Sequence, residues 1–292
     1  MDIYLDTNVW NELMDQGVDP ACLVSSLNEG RNRLVLSDEV VYELARNTDR
    51  QRSIALFSLL RRFIALGVPV TKDNMALIAA EMQAVQWLMR EIYPFITADD
   101  FEIVRAMVDR LALGKMKSEE IQRIDHRLAL RWRDRVGQSR FFQRRPELRE
   151  AYSAVSPSEF PTWLKVEENT PRATQYLASQ IHNYFHGHPV SDAMEYSRAL
   201  QAAFANRASK ALIRRNTYIN WRCACRGSVP RDIYADTTHI VNAVYCDVYV
   251  TRDSEQLGYA PWLLTPATGV RHYDRQIPLQ QWLLDCASPN DN

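Results

Sequence analysis

Short apolar runs alternate with helical periodicity at both ends of the chain. Ile3-Tyr4-Leu5, Leu34-Val35-Leu36 and Val248-Tyr249-Val250 read as buried strands, rich in β-branched and aromatic residues. Val68-Pro69-Val70 reads as another, which its proline confines to a sheet edge or a strand start. Between these runs, apolar residues recur at helical spacing: Val9, Trp10, Leu13 and Met14; Val40, Val41 and Leu44; residues 53–66; Met75, Ile78, Ala79, Met82 and Val85; and Ile240, Val241, Ala243 and Val244. Ser37 is placed as an N-cap, with Asp38 and Glu39 complementing the dipole of the first turn. A strand at 268–272 and a helix at 278–285 close the pattern. Strands and helices in alternation predict an α/β fold with a parallel sheet flanked by helices.

The middle of the chain differs. From 93 to 231 strand signals nearly vanish, and helices are predicted over 97–113, 117–138, 172–186 and 191–216. Residues 153–171, with Pro157, Pro161 and Pro171, read as a connection. The expected organisation is one α/β domain built from 1–92 and 232–292, interrupted by a mainly α-helical insertion at 93–231. Loop-closure entropy grows slowly enough with length to tolerate such an insertion.

The composition, 46% hydrophobic and 24% charged over 292 residues, is that of an ordinary globular protein. Five cysteines, an odd number without framework spacing, read as reduced thiols. The N-terminus enters a strand at once, and no apolar run approaches the roughly 20 residues of a membrane helix, so a cytoplasmic protein with no membrane contact is expected. The net charge of −1 carries no message, but its distribution does. Residues 201–231 hold seven basic side chains and no acid, and 101–150 hold thirteen basic against eight acidic ones. Basic stripes suit a phosphate backbone; a solvated helix face is the competing reading. Lys210, Arg214, Arg215, Arg222 and Arg226 are the substrate-binding candidates, because their run leads directly into the helix of Asp236. Trp132, Phe141, Phe142 and Trp221 lie among the arginines, where most are read as core and stacking on bases is the alternative.

Four acids carry the candidate chemistry. Asp6 and Asp253 each follow a strand, at the carboxyl edge where ligands collect in open parallel sheets. Glu43 and Asp236 lie on helices expected to flank that edge. Read singly, Asp6 is a helix cap, Asp253 a turn residue, Glu43 an exposed helix position and Asp236 a dipole partner. Read together they need a counter-ion, since two unit charges 4 Å apart repel by about 4 kcal/mol at an effective dielectric near 20. Oxygen donors select hard cations, so Mg²⁺ or Mn²⁺ is expected, able to activate water and to stabilise charge on a phosphoryl group. Strand rise puts Asp247 roughly 20 Å from Asp253, and Asp2 roughly 13 Å from Asp6, so neither shares the site. Asp232 replaces Asp236 in a shifted helical register. His239, three residues after Asp236, reads as a satisfied, partly buried histidine, with a phosphate or metal contact as the alternative. A zinc site from His182, His186, His188, Cys223 and Cys225 lacks a C-x₂-C pair.

YLDTNVW (4–10), SDEVVYEL (37–44), DTTHIVNA (236–243) and DVYVTRD (247–253) together resemble a PIN-domain nuclease over both ends of the chain. The resemblance implies a parallel sheet between helices and metal-dependent cleavage of RNA that leaves 5′-phosphate and 3′-hydroxyl ends. Asp6, Glu43, Asp236 and Asp253 would form the acidic quartet, with Asp6, Asp236 and Asp253 as metal ligands. Asn8 and Thr251 would orient the acids. A regulatory protein or antitoxin would be a partner, as for the toxin members of that family. Glu43 and Asp236 are 193 positions apart, three to four times the spacing of compact members. A non-catalytic nucleic-acid or protein binding module is the alternative. A small-molecule phosphohydrolase is weaker: residue 8 is Asn, so no D-x-D pair follows the first strand, and no Gly-rich phosphate loop exists.

Overall fold

The computed structural model describes residues 1–87, 89, 91–117, 122, 142–170, 175, 206–227 and 232–287. In chain order the elements are β1 (Asp2–Leu5), α1 (Thr7–Asp15), α2 (Pro20–Glu29), β2 (Arg33–Ser37), α3 (Asp38–Ala45), α4 (Arg50–Ala65), β3 (Val70–Thr71), α5 (Asn74–Gln86), α6 (Ala98–Ala112), α7 (Pro146–Ser153), α8 (Phe160–Glu167), α9 (Arg207–Arg226), α10 (Ile233–Asn242), β4 (Val248–Thr251), α11 (Ser254–Leu263), β5 (Gly269–His272) and α12 (Leu279–Ala287). The strands form one parallel sheet in the order β3-β2-β1-β4-β5. Central β1 takes Leu34 as the partner of Ile3 on one side and Val248 on the other.

Side chains alternate across the sheet with the period of two that a strand imposes. Tyr4, Val35 and Tyr249 point into one core, shared with α5, α9, α10 and α11. Ile3, Leu5, Leu34, Leu36, Val248 and Val250 point into the other, with α1, α3, α4, α6 and α12. Both faces are covered, so the strands read as continuous apolar runs. Among the described residues no helix is long and apolar enough to cross a membrane.

Several elements differ from expectation. β3 is only Val70–Thr71 and starts after Pro69, whose carbonyl accepts from Leu36 N–H. Residues 153–171 contain helix α8, with Pro161 in its first turn, where no intrahelical N–H is required. The helix expected to end at 216 runs on to Arg226 and stops at Gly227, which adopts φ 72°. The expected helices at 117–138 and 172–186 fall almost wholly outside the described residues. The described helices of 93–231 do not enclose a core of their own: α6 packs on α4 at one sheet face, and α7, α8 and α9 join the core of the other.

A buried carboxylate fastens α9 to the rest of the fold. Asn206, at its N-cap, makes no side-chain capping bond. Glu81 on α5 takes over that task, accepting from Ala208 N–H at 2.6 Å, Ser209 N–H at 2.8 Å, Ser209 Oγ and Tyr245 Oη. The two amides are first-turn donors that a helix leaves without partners of its own.

Candidate functional site

β1 and β4 lie side by side and end together, so the residues that follow them share one edge. Asp6 N–H extends the sheet by bonding Val250 O at 2.9 Å, and its side chain caps α1 by accepting from Thr7 N–H at 2.7 Å. The other Asp6 oxygen accepts from Thr251 Oγ at 3.2 Å and from Asn8 Nδ2 at 3.5 Å. Asp253 caps α11 with one oxygen, taking Glu255 N–H at 2.7 Å. Its own N–H bonds Thr251 Oγ at 3.0 Å, so that hydroxyl bridges the two strand-end acids. The bland capping roles of both aspartates are therefore real and coexist with their convergence.

Glu43 reaches in from α3. Its Oε2 accepts from Thr7 Oγ at 2.7 Å and stands 2.9 Å from His239 Nε2. Asp236 lies in the first turn of α10, which begins at Ile233, three residues earlier than its acid was expected to sit. Asp6, Glu43 and Asp253 each act on the Asp236 charge. Burial, then Asp6 and Glu43, push the Asp236 carboxyl up to about 8. Burial also raises Asp6, against the lowering pull of His239. Glu43 moves the other way: burial would raise it, but His239, the Thr7 hydrogen bond and the Arg46 charge together hold it below its ordinary value.

His239 occupies the centre of the cluster and is fully buried. Its Nε2 also lies 3.1 Å from Thr7 Oγ and 4.0 Å from Asp6 Oδ1, while Nδ1 meets Tyr4 Oη at 2.8 Å. Tyr4 Oη in turn contacts Ser37 Oγ at 2.6 Å. Burial alone would lower the imidazole pKa, but Glu43, Asp6 and Asp236 raise it above its ordinary value. The satisfied-histidine reading thus describes its bonding; its position among three acids was not visible in sequence, because its partners Tyr4 and Glu43 are about two hundred positions away.

The basic candidates separate. Arg214 forms a paired contact with buried Glu168 and donates to Leu264 O at 2.8 Å; Arg222 is buried against Glu255 and over the Tyr218 ring. Arg214 is corrected from a substrate contact to a structural tie, since its guanidinium fork is spent on Glu168 and Leu264; Arg222 is likewise buried and turned toward Glu255, away from a substrate-facing stripe. Arg215 donates to Thr237 Oγ at 3.1 Å and lies over Tyr234, one turn from Asp236. Lys210 is half-buried, and Arg226 is exposed in the last turn of α9. Phe142 and Trp221 are core, whereas Trp132, Phe141, His182, His186 and His188 lie outside the described residues. Asp232 stands at the N-cap of α10, exposed, and pairs with Arg46 at 3.7 Å.

The carboxylate oxygens of Asp6, Asp236 and Asp253 are donors of the hard type that Mg²⁺ and Mn²⁺ take. Among the described residues, no hydrogen-bond donor meets the Asp236 carboxylate. Beside it the Tyr259 hydroxyl is buried without a partner, its ring stacked on Tyr218 at 4.6 Å. As the side chains stand, no three acid, histidine or cysteine groups among the described residues already form a metal cage. No family model, curated protein or solved structure matches the chain.

Proposed function

We propose that this protein is a metal-dependent nuclease with a PIN-like fold, and that its substrate is RNA. The observation that carries this reading is the meeting of four carboxylates from four separate elements at the carboxyl edge of β1 and β4, with Asp236 left short of balancing positive charge. A cluster of this kind costs stability and is retained where a cation and a reaction make use of it.

Asp6, Asp236 and Asp253 would hold Mg²⁺ or Mn²⁺, which when bound supplies a Lewis acid for the phosphoryl group and lowers the pKa of water. The chain's own groups prepare the rest. Thr251 and Asn8 fix one Asp6 oxygen and the Thr7 amide fixes the other, so Asp6 offers its remaining lone pairs in one direction. Thr7 and His239 hold Glu43 by one oxygen, which fixes the carboxylate beside Asp6 for the role of orienting attacking water. A regulatory protein partner would cover this site.

The test is cleavage of a labelled RNA in Mn²⁺. Chelation with EDTA and Asp6→Asn should each abolish cleavage, and full activity surviving both would refute the reading. One observation favours a second reading, a non-catalytic nucleic-acid binding module. His239 already lends the acids a positive charge from within the protein. That reading expects RNA binding without turnover, unchanged by Mn²⁺.

A further inference from the structure

Arg46 stands beside Glu43 of the acid site, and among the described residues its guanidinium makes no hydrogen bond. It closes α3 one turn after Glu43, and its side chain is 24% exposed. Nη1 lies 3.6 Å from Glu43 Oε1 and Nη2 3.7 Å from Asp232 Oδ1, both beyond hydrogen-bond length. Among the described residues the guanidinium makes no other contact. Five N–H donors in a planar fork are the chain's best match for a phosphate, and here they hold two loose ion pairs.

Among the described residues Asp232 is equally unspent. An aspartate at an N-cap ordinarily accepts from the first turn of its helix. Asp232 holds that position on α10 and makes no such bond. Its side chain is 61% exposed and reaches across to Arg46. The pair therefore spans the gap between the two helices that carry Glu43 and Asp236. A phosphodiester entering the acid site meets a cluster of carboxylates, and Arg46 is a partly exposed cation 3.6 Å from one of them, Glu43.

We propose that Arg46 grips the phosphate of a single-stranded RNA at this site, and that Asp232 occupies the guanidinium until the phosphate displaces it. A carboxylate and a phosphate oxygen pair compete for the same fork. The proposal rests on the nuclease reading, and its test separates the two.

Binding of a fluorescein-labelled single-stranded RNA oligonucleotide to the full chain is measured in EDTA by fluorescence anisotropy across a salt series. Arg46→Ala should weaken binding about tenfold, the loss of one charge-assisted contact. It should also flatten the slope of log affinity against log salt by about 0.7, one single-strand phosphate contact. Arg46→Lys should restore part of the affinity. Asp232→Asn should tighten binding severalfold, and that gain should vanish in the Arg46→Ala background, whereas a general charge effect would persist there. In Mn²⁺ the change in cleavage should fall on KM more than on kcat. Unchanged affinity and salt slope in Arg46→Ala, or weaker binding in Asp232→Asn, would overturn the assignment of Arg46 while leaving the nuclease intact. Absence of RNA binding and cleavage by the unsubstituted protein would overturn the nuclease reading itself.

Discussion

Asp236→Asn should stabilise the metal-free protein while removing its response to metal. The carboxyl moves from an ordinary 3.8 to about 8 in the fold, so at neutral pH folding forces it to take up a proton. At 1.36 kcal/mol per unit, the interval from 3.8 to neutrality sets a ceiling of about 4 kcal/mol. The side chain is partly exposed, and solvent screening reduces this to about 1–3 kcal/mol. Asparagine keeps the size and carries no charge, so it recovers that cost. The sign follows from the direction of the shift. A raised folded-state pKa contributes stability that is complete below 3.8 and is lost as pH rises toward about 8. The unsubstituted protein should therefore lose up to about 1.4 kcal/mol per pH unit from this group across that window, and Asp236→Asn should lack that slope. Mn²⁺ should reverse the order: at a hundred times its Kd a native-state ligand adds about 2.7 kcal/mol, which the variant forfeits. Urea unfolding followed by circular dichroism, in EDTA from about pH 5 to about pH 8 and again in Mn²⁺, reads all of this. A variant no more stable than its parent in EDTA, with the same dependence on pH, would refute the electrostatic account of the cluster.

Two further predictions concern the scaffold. Glu81→Gln should cost about 1–3 kcal/mol in urea unfolding, because an amide presents N–H to a site that holds two backbone donors and leaves one of them unpaired. Arg214→Ala should cost about 3–5 kcal/mol by stranding Glu168, whose side chain is 7% exposed, yet leave the salt dependence of RNA binding unchanged.

The three central strands, β1, β2 and β4, were legible because each is a compact apolar run, and in a sheet covered on both faces that is the whole signal. Helix α8 was hidden by Pro161, which reads as a loop marker but sits in a first turn where it does no harm. The reach of α9 was read differently from its role. Its basic residues looked like one solvent-facing stripe, whereas Arg214 and Arg222 turn inward toward acids 46 and 33 positions away. Such pairings are tertiary and leave no trace in local spacing. The same holds at the site. Asp6 and Asp253 could be found because each ends a strand, and Asp236 because it opens a helix, while strand rise excluded Asp2 and Asp247; Glu43 lies late in α3 and carried no such positional signal. The place of His239 among them depends on β1, α3 and α10 coming together, which no periodicity encodes. Arg46 lay three residues from Glu43 in plain view, but its value comes from Asp232, carried by another helix.

The centre of the sheet has a consequence for synthesis. Ile3 takes Val248 as its neighbour, so one flank of the first strand made waits for one of the last. Until that late segment leaves the ribosome, Asp6 has no Thr251 to hold it and no Asp253 beside it. Until then the nascent protein exposes a bare apolar edge, an opening for chaperones and for mispairing. Under the proposed reading, the acid cluster would stay incomplete until β4 has docked on β1.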